Sequence, residues 1–355
     1  MRGRFTTRLW AGLALIGLTL GTAEAQEPIR VGGFMPVTGP ASFLGDPEEK
    51  TLEQYVEHLN DNGGLLGREL ELITYDTAGN AAKARTFVKR LITSDNVDVI
   101  IGGLTGSTMA VIPVMERARM PFISLSGSVA PIEPPRKWTF KTPQTDRMAA
   151  ARVFDDMRKR GIERIGLLSG SGGFGSSGRK QALAIAGNHG IEIVADETYA
   201  PKDTDMSAQL THIANTEGVQ AIFVFGFGQG PAIATRNYHQ LGLALPLYQS
   251  HGVASNKFIE LAGTDATEGV RLPAPPLLVA EQMPSDDPQK AVLMAYKQAY
   301  ESRFDEPVST FGGYAYDGLM LYTEAVKAVS TTDRAAVRDA MEAIDGYVGV
   351  TGIFR

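Results

Sequence analysis

Ile29-Arg30-Val31-Gly32-Gly33-Phe34, followed by Val37-Thr38-Gly39-Pro40 and Gly45-Asp46, is the stretch on which the fold turns. It reads as a short apolar strand that runs into a turn and then a helix. The amphipathic segment Glu48–Asn60 comes next and stops at Asn62-Gly63-Gly64, a glycine helix end. The same unit then recurs along the chain. Strand-like runs at Glu69–Tyr75, Val97–Ile101, Pro121–Leu125, Arg164–Leu168, Ile191–Val194, Ala221–Phe225 and Leu245–Gln249 alternate with helical ones at Ala82–Thr93, Ala149–Arg160 and Gln181–Asn188. The helical segments carry apolar residues at three- and four-residue steps, and the strands are near-continuous apolar runs. The pattern predicts an α/β fold of Rossmann-like units, parallel sheets with helices on both faces.

Upstream of this stretch lies a different kind of sequence. Arg2, Arg4 and Arg8 precede an apolar run, Leu9–Leu20, and then Ala23-Glu24-Ala25. That is the layout of a cleavable export signal over residues 1–25 with an A-x-A cut site. The run is too short to span a membrane, which takes about 20 residues. Exported compartments lack pools of ATP and NAD, so most cytoplasmic chemistry is excluded. The net charge is −6; Arg2, Arg4 and Arg8 outweigh Glu24 by two, so the mature chain carries −8. A mildly acidic chain without a basic stripe argues against nucleic acid. There is no cysteine, which excludes disulfides, thiolate metal sites and a lipid anchor on an N-terminal cysteine.

A mature chain of roughly 330 residues predicts two domains. Composition breaks fall at Thr142-Pro143-Gln144-Thr145 and in the proline-rich Leu272–Leu278. Helical patterns follow over Asp286–Arg303, Phe311–Val329 and Asp333–Ile344.

Several segments together carry a family resemblance: the opening stretch, Asn60-Asp61-Asn62-Gly63-Gly64-Leu65-Leu66-Gly67-Arg68, Leu72-Ile73-Thr74-Tyr75-Asp76, Val97-Asp98-Val99-Ile100-Ile101-Gly102, Pro121-Phe122-Ile123-Ser124 and Trp138-Thr139-Phe140-Lys141-Thr142-Pro143. The mature chain resembles the type I periplasmic binding proteins of branched-chain amino acid transporters, Leu/Ile/Val-binding proteins among them. The resemblance implies two lobes joined by crossover hinge strands, closing like a flytrap on a small ligand that an inner-membrane ABC permease receives. It places residues 26–143 and 277–348 in lobe 1, and 144–276 and 349–355 in lobe 2. Relatives continue past Arg355 with further strands. It also implies a free periplasmic monomer without cofactor or metal.

Five loops at strand ends supply the candidate site. In Gly102–Thr108, the resemblance puts a carboxylate-binding hydroxyl at Thr105, with Ser107 as the alternative. In Ser124–Ser128, it gives the Ser126 backbone and the Ser128 hydroxyl to the same carboxylate. Clustered serine and glycine also suit this physically, because their N–H groups converge. In Ser169–Gly175, Phe174 stands where relatives carry a tyrosine lid; without a hydroxyl it suggests an apolar ligand body. Phe227, in Gly226–Gln229, falls where relatives make aromatic or amide contacts. His251 stands where relatives that bind α-amino acids place an acid. A buried ammonium without that acid is costly, so the reading predicts a carboxylate ligand, aromatic or otherwise, without an α-amino group. Branched-chain amino acids or amides, or a sensing role, are the alternatives. Tyr314, Phe311 and Phe43 are further wall candidates.

The rival reading is a dinucleotide enzyme. Gly170-Ser171-Gly172-Gly173-Phe174-Gly175 matches G-x-G-x-x-G after a strand, with Asp196 about 20 residues on. Its mid-chain place and the export signal weigh against it. No G-x-S-x-G elbow appears, and His58, His189, His212 and His239 show no metal-ligand spacing.

Overall fold

The computed structural model describes residues 27–355, so the expected export signal lies outside the described residues. The first lobe opens with β1 (Ile29–Met35), α1 (Ser42–Asp61), β2 (Leu70–Asp76), α2 (Ala81–Thr93), β3 (Val99–Gly102), α3 (Thr105–Ala118), β4 (Phe122–Ser124) and β5 (Thr139–Lys141). The second holds α4 (Asp146–Lys159), β6 (Arg164–Gly170), α5 (Gly173–Ile185), β7 (Glu192–Tyr199), α6 (Ser207–Ala214), β8 (Ala221–Phe225), α7 (Gln229–Gln240), β9 (Leu247–Gln249), α8 (Asn256–Ala262) and α9 (Thr264–Thr267). The chain then returns to the first lobe through α10 (Lys290–Phe304), α11 (Thr310–Val329) and α12 (Arg334–Glu342), and ends in the hairpin β10 (Tyr347–Val348) and β11 (Ile353–Phe354).

Both sheets are parallel. Their strand orders are β2-β1-β3-β4-β5 and β7-β6-β8-β9. Each is buried on both faces, as the unbroken apolar strands require. In the first lobe, Val31, Val99, Ile101 and Ile123 meet α1 and α11 on one face. Phe34, Ile100 and Phe122 meet α2 and α3 on the other. The second lobe repeats this with Ile165, Leu167 and Phe223 towards α4 and α5, and Leu168, Ile222 and Val224 towards α6 and α7. The two-lobed α/β architecture expected from the sequence is the one found.

Three boundaries differ from expectation for physical reasons. Helix α1 begins at Ser42, not Glu48, although Pro47 inside it has no N–H for the Phe43 carbonyl. Burial offsets that loss: Leu44 is 7% exposed, and a Cβ on Gly45 would stand 2.4 Å from the Pro36 carbonyl carbon. Glycine there lets α1 lie on the end of β1. Helix α5 begins within the glycine run, not at Gln181. The tail Gly349–Arg355 was expected with lobe 2, but it is held by helices that pack with lobe 1. Asp317 on α11 accepts from the N–H groups of Val350 and Thr351, both at 2.8 Å, and from the Thr351 hydroxyl at 2.5 Å. Val350 packs with Leu277 and Tyr296, and Gln289 donates to the Gly349 carbonyl at 2.8 Å.

Asp317 is fully buried, and burial raises its carboxyl pKa to about 7 against the pull of its three donors. Asp317→Ala strands two buried N–H groups, each worth about 1–3 kcal/mol. Urea unfolding should show a loss of that size, and an unchanged midpoint would mean that the tail is anchored elsewhere.

Candidate ligand-binding site

Between the lobes lies a small, mostly apolar cavity of about 30 Å³. The first lobe supplies Leu44, Leu104, Thr105, Leu125, Phe311 and Tyr314. The second supplies Phe174, Phe227 and His251, and Pro143 of the first crossover completes the wall. The structure thus brings together Thr105, Ser126, Phe174, Phe227, His251 and Tyr314 of the residues singled out on sequence, with Phe311 as a further wall.

Ser107 and Ser128 do not line this cavity. Ser107, one of the two alternatives in its loop, donates its hydroxyl to the Leu104 carbonyl at 3.0 Å. Ser128 is fully buried, and its hydroxyl lies 2.6 Å from that of Ser177 on α5, which in turn donates to Asp146. Side-chain direction in a tight serine turn decides this: the Ser128 N–H caps the Ser126 hydroxyl at 3.2 Å, which turns the Ser128 side chain away. Phe43 packs edge-on against Phe311 at 5.7 Å, outside the cavity.

Three polar features face the apolar walls. The Thr105 and Ser126 hydroxyls are hydrogen-bonded to each other at 2.9 Å, at the start of α3 and just after β4. The Tyr314 hydroxyl donates to Gln144 at 3.0 Å, and Gln144 in turn donates to the Thr351 carbonyl at 2.5 Å. His251 is 4% exposed, and neither ring nitrogen has a hydrogen-bond partner. Its ring meets Phe174 edge-on at 5.2 Å. Gly127 packs between the two: a Cβ there would stand 2.7 Å from His251 Nε2 and 2.9 Å from the Phe174 ring.

Burial pushes the His251 imidazole down to about 4, and the charge of Lys141 adds to that fall. Lys141, at the end of β5, donates its ammonium to the Pro143 carbonyl. Its own pKa is pushed to about 7 by burial, with Asp146 opposing. The cavity therefore holds a neutral imidazole, and no acidic side chain lines it.

Sequence reasoning missed the walls Leu44 and Pro143 and the neighbouring Lys141; Leu104, Leu125 and Gly127 fall within the candidate loops but were not singled out. Only the Thr142-Pro143 break hinted at the crossover; a lysine ending a strand carries no sign that its ammonium will turn onto the Pro143 carbonyl.

This arrangement can hold a small molecule with an apolar body and one polar end. A carboxylate that displaces the Thr105–Ser126 bond gains two hydroxyl donors. No hydroxyl or carboxylate bonds to His251, so this ring is not part of a nucleophile–base pair. Nor do these residues hold a group of three metal-ligating side chains. Asp196, the ribose acid of the dinucleotide reading, accepts from Arg179 at 2.8 Å and is not free for a ribose.

His251 should stay neutral across the ordinary range. Its folded pKa lies below the usual imidazole value, so its contribution to stability is complete above about 6.5 and is lost as pH falls towards about 4. Its imidazole NMR shifts should be flat from pH 8 to about 5; titration near 6.5 would show that the ring is solvated.

Comparison with known proteins agrees with this geometry. A profile of the periplasmic binding protein family matches residues 28–355. A leucine-, isoleucine-, valine-, threonine- and alanine-binding protein of Pseudomonas aeruginosa is 23% identical over 340 residues, covering 95% of this chain and 88% of its own. An extracellular ligand-binding receptor of Rhodopseudomonas palustris superposes with a TM-score of 0.85 at 26% identity, covering 92% of each chain. An ABC transporter solute-binding protein of R. palustris, solved with benzoate, superposes at 0.78 with 23% identity over 92% of this chain and 88% of its own. With two parallel-sheet lobes around an apolar cleft, this chain belongs to the periplasmic binding protein family, in the type I branched-chain amino acid transporter class.

Proposed function

We propose that this protein captures a small carboxylate with an apolar, preferably aromatic, body and no α-amino group, and delivers it in the periplasm to an ABC-type permease. His251 carries the reading. A ligand ammonium buried beside a neutral imidazole, with no carboxylate lining the cavity, would forgo its counter-ion at a cost of several kcal/mol. The aromatic walls of Phe174, Phe227 and Phe311 suit a ring. The Thr105 and Ser126 hydroxyls suit its carboxylate. The benzoate bound by the R. palustris solute-binding protein is of this ligand class.

One observation favours the second reading, a branched-chain amino acid. Glu48 lies one helical turn from Leu44 on the same face of α1, is 2% exposed, and is pushed well above the usual carboxylate range by burial. An ammonium drawn towards it would find the acid that the cavity wall lacks. The relative in P. aeruginosa is named for such ligands.

A thermal-shift series separates the two. Ligand bound only by the folded state raises the melting temperature by mass action. Benzoate and 3-phenylpropanoate should raise it, and leucine, isoleucine and valine should not; the opposite result rejects the aromatic-acid reading. Ser126→Ala removes a charge-assisted hydrogen bond and should weaken aryl-acid binding by about 1.5–3 kcal/mol.

A further inference from the structure

The inner cavity adjoins an outer chamber of about 350 Å³ at the cleft mouth, with Leu104, Thr105, Phe174 and Phe227 walling both. Three helices begin on this chamber: α3 at Thr105, α5 at Gly173 and α7 at Gln229. The first N–H groups of any helix lack an intrahelical acceptor. Here the residues that precede the three helices, Leu104, Gly172 and Gly228, supply no capping side chain. None of the residues lining the chamber is charged.

Two further observations point to an occupant. The Tyr199 hydroxyl belongs to a side chain that lines the chamber and is 4% exposed, yet it has no hydrogen-bond partner. It lies against Gly226 and Gly230, beside the start of α7: a Cβ on those glycines would stand 2.0 and 3.0 Å from it. Across the cleft, a Cβ on Gly173 would stand 3.4 Å from the Gly106 nitrogen. The starts of α3 and α5 therefore face each other at close range. Each carries about half a positive charge, so the closed lobes press like ends together. A negative group between them turns that repulsion into attraction.

We infer that the outer chamber is a second anion subsite: the ligand carries, at the end away from Ser126, a second carboxylate-class group. The inference rests on the aryl-acid reading above and gives a use to the Gly170–Gly175 run, which no dinucleotide explains. The second anion takes N–H groups at the starts of α5 and α7 and the Tyr199 hydroxyl, all in the second lobe, and its charge offsets the facing start of α3 in the first.

Calorimetry on the mature protein tests this with 3-(4-carboxyphenyl)propanoate, a dianion, against its neutral-tailed isostere 3-(4-carbamoylphenyl)propanoate. The dianion should bind at least about tenfold more tightly, and added salt should narrow the gap. Gly172→Asp places a carboxylate in the chamber, where its Cβ would meet only Pro201 at 3.9 Å; it should abolish the preference. Tyr199→Phe should weaken the dianion more than the amide. An amide that binds as tightly as the dianion, or a preference that survives Gly172→Asp, overturns the subsite. If neither aryl acid binds but leucine does, the ligand class is wrong, and 2-aminoadipate against norleucine then decides the subsite. Tighter aminoadipate supports it, and equal or tighter norleucine overturns it.

Discussion

Parallel pairing is the constraint from which the cleft follows. In both sheets every strand delivers its carboxyl end to the same edge, and the two edges face each other. Thr105 follows β3, Ser126 follows β4, Phe174 follows β6, Phe227 follows β8 and His251 follows β9. Because most of these strands are followed by a helix, helix starts and short turns line the cleft, rather than helix flanks. That is why its polar groups are hydroxyls and backbone N–H groups, and why glycines crowd the same edge.

Within that frame the electrostatics are set by exclusion of water. His251 is buried against Phe174 and Phe225 with no partner, so its charged form is disfavoured. Lys141 lies behind it, bonded to the Pro143 carbonyl. A cation entering such a space meets a neutral ring and, beyond it, a lysine whose own charge is disfavoured. An anion meets two hydroxyls and the starts of helices. On the proposed reading, selectivity comes as much from what the cavity withholds as from what it offers.

Much of this was legible in the sequence because it depends on period and punctuation. The strands, their order of appearance and the loops that follow them could be read from apolar runs and glycine stops. The resemblance narrowed the first loop to two hydroxyls, Thr105 and Ser107. What could not be read depends on direction and on distant neighbours. The turn Ser124–Ser128 offers three hydroxyls, and only the folded backbone shows that Ser126 faces the cavity while Ser128 faces α5. Leu44 was hidden because the helix was read from Glu48, after Pro47. The tail was assigned to the wrong partner because nothing local in Val350-Thr351 announces a carboxylate on α11.

The position of Ser128 has a consequence for how the molecule empties. Ser128 belongs to the first lobe and Ser177 to the second, and their hydroxyls, with Asp146 behind, stitch the seam between the lobes. Every partner in that stitch is one that bulk solvent can replace in kind. Parting the seam there exchanges these bonds, and the one from the Val129 N–H to Asp146, for bonds to water. Lobes fastened this way are held by bonds that water can replace, so the seam itself offers little resistance to opening.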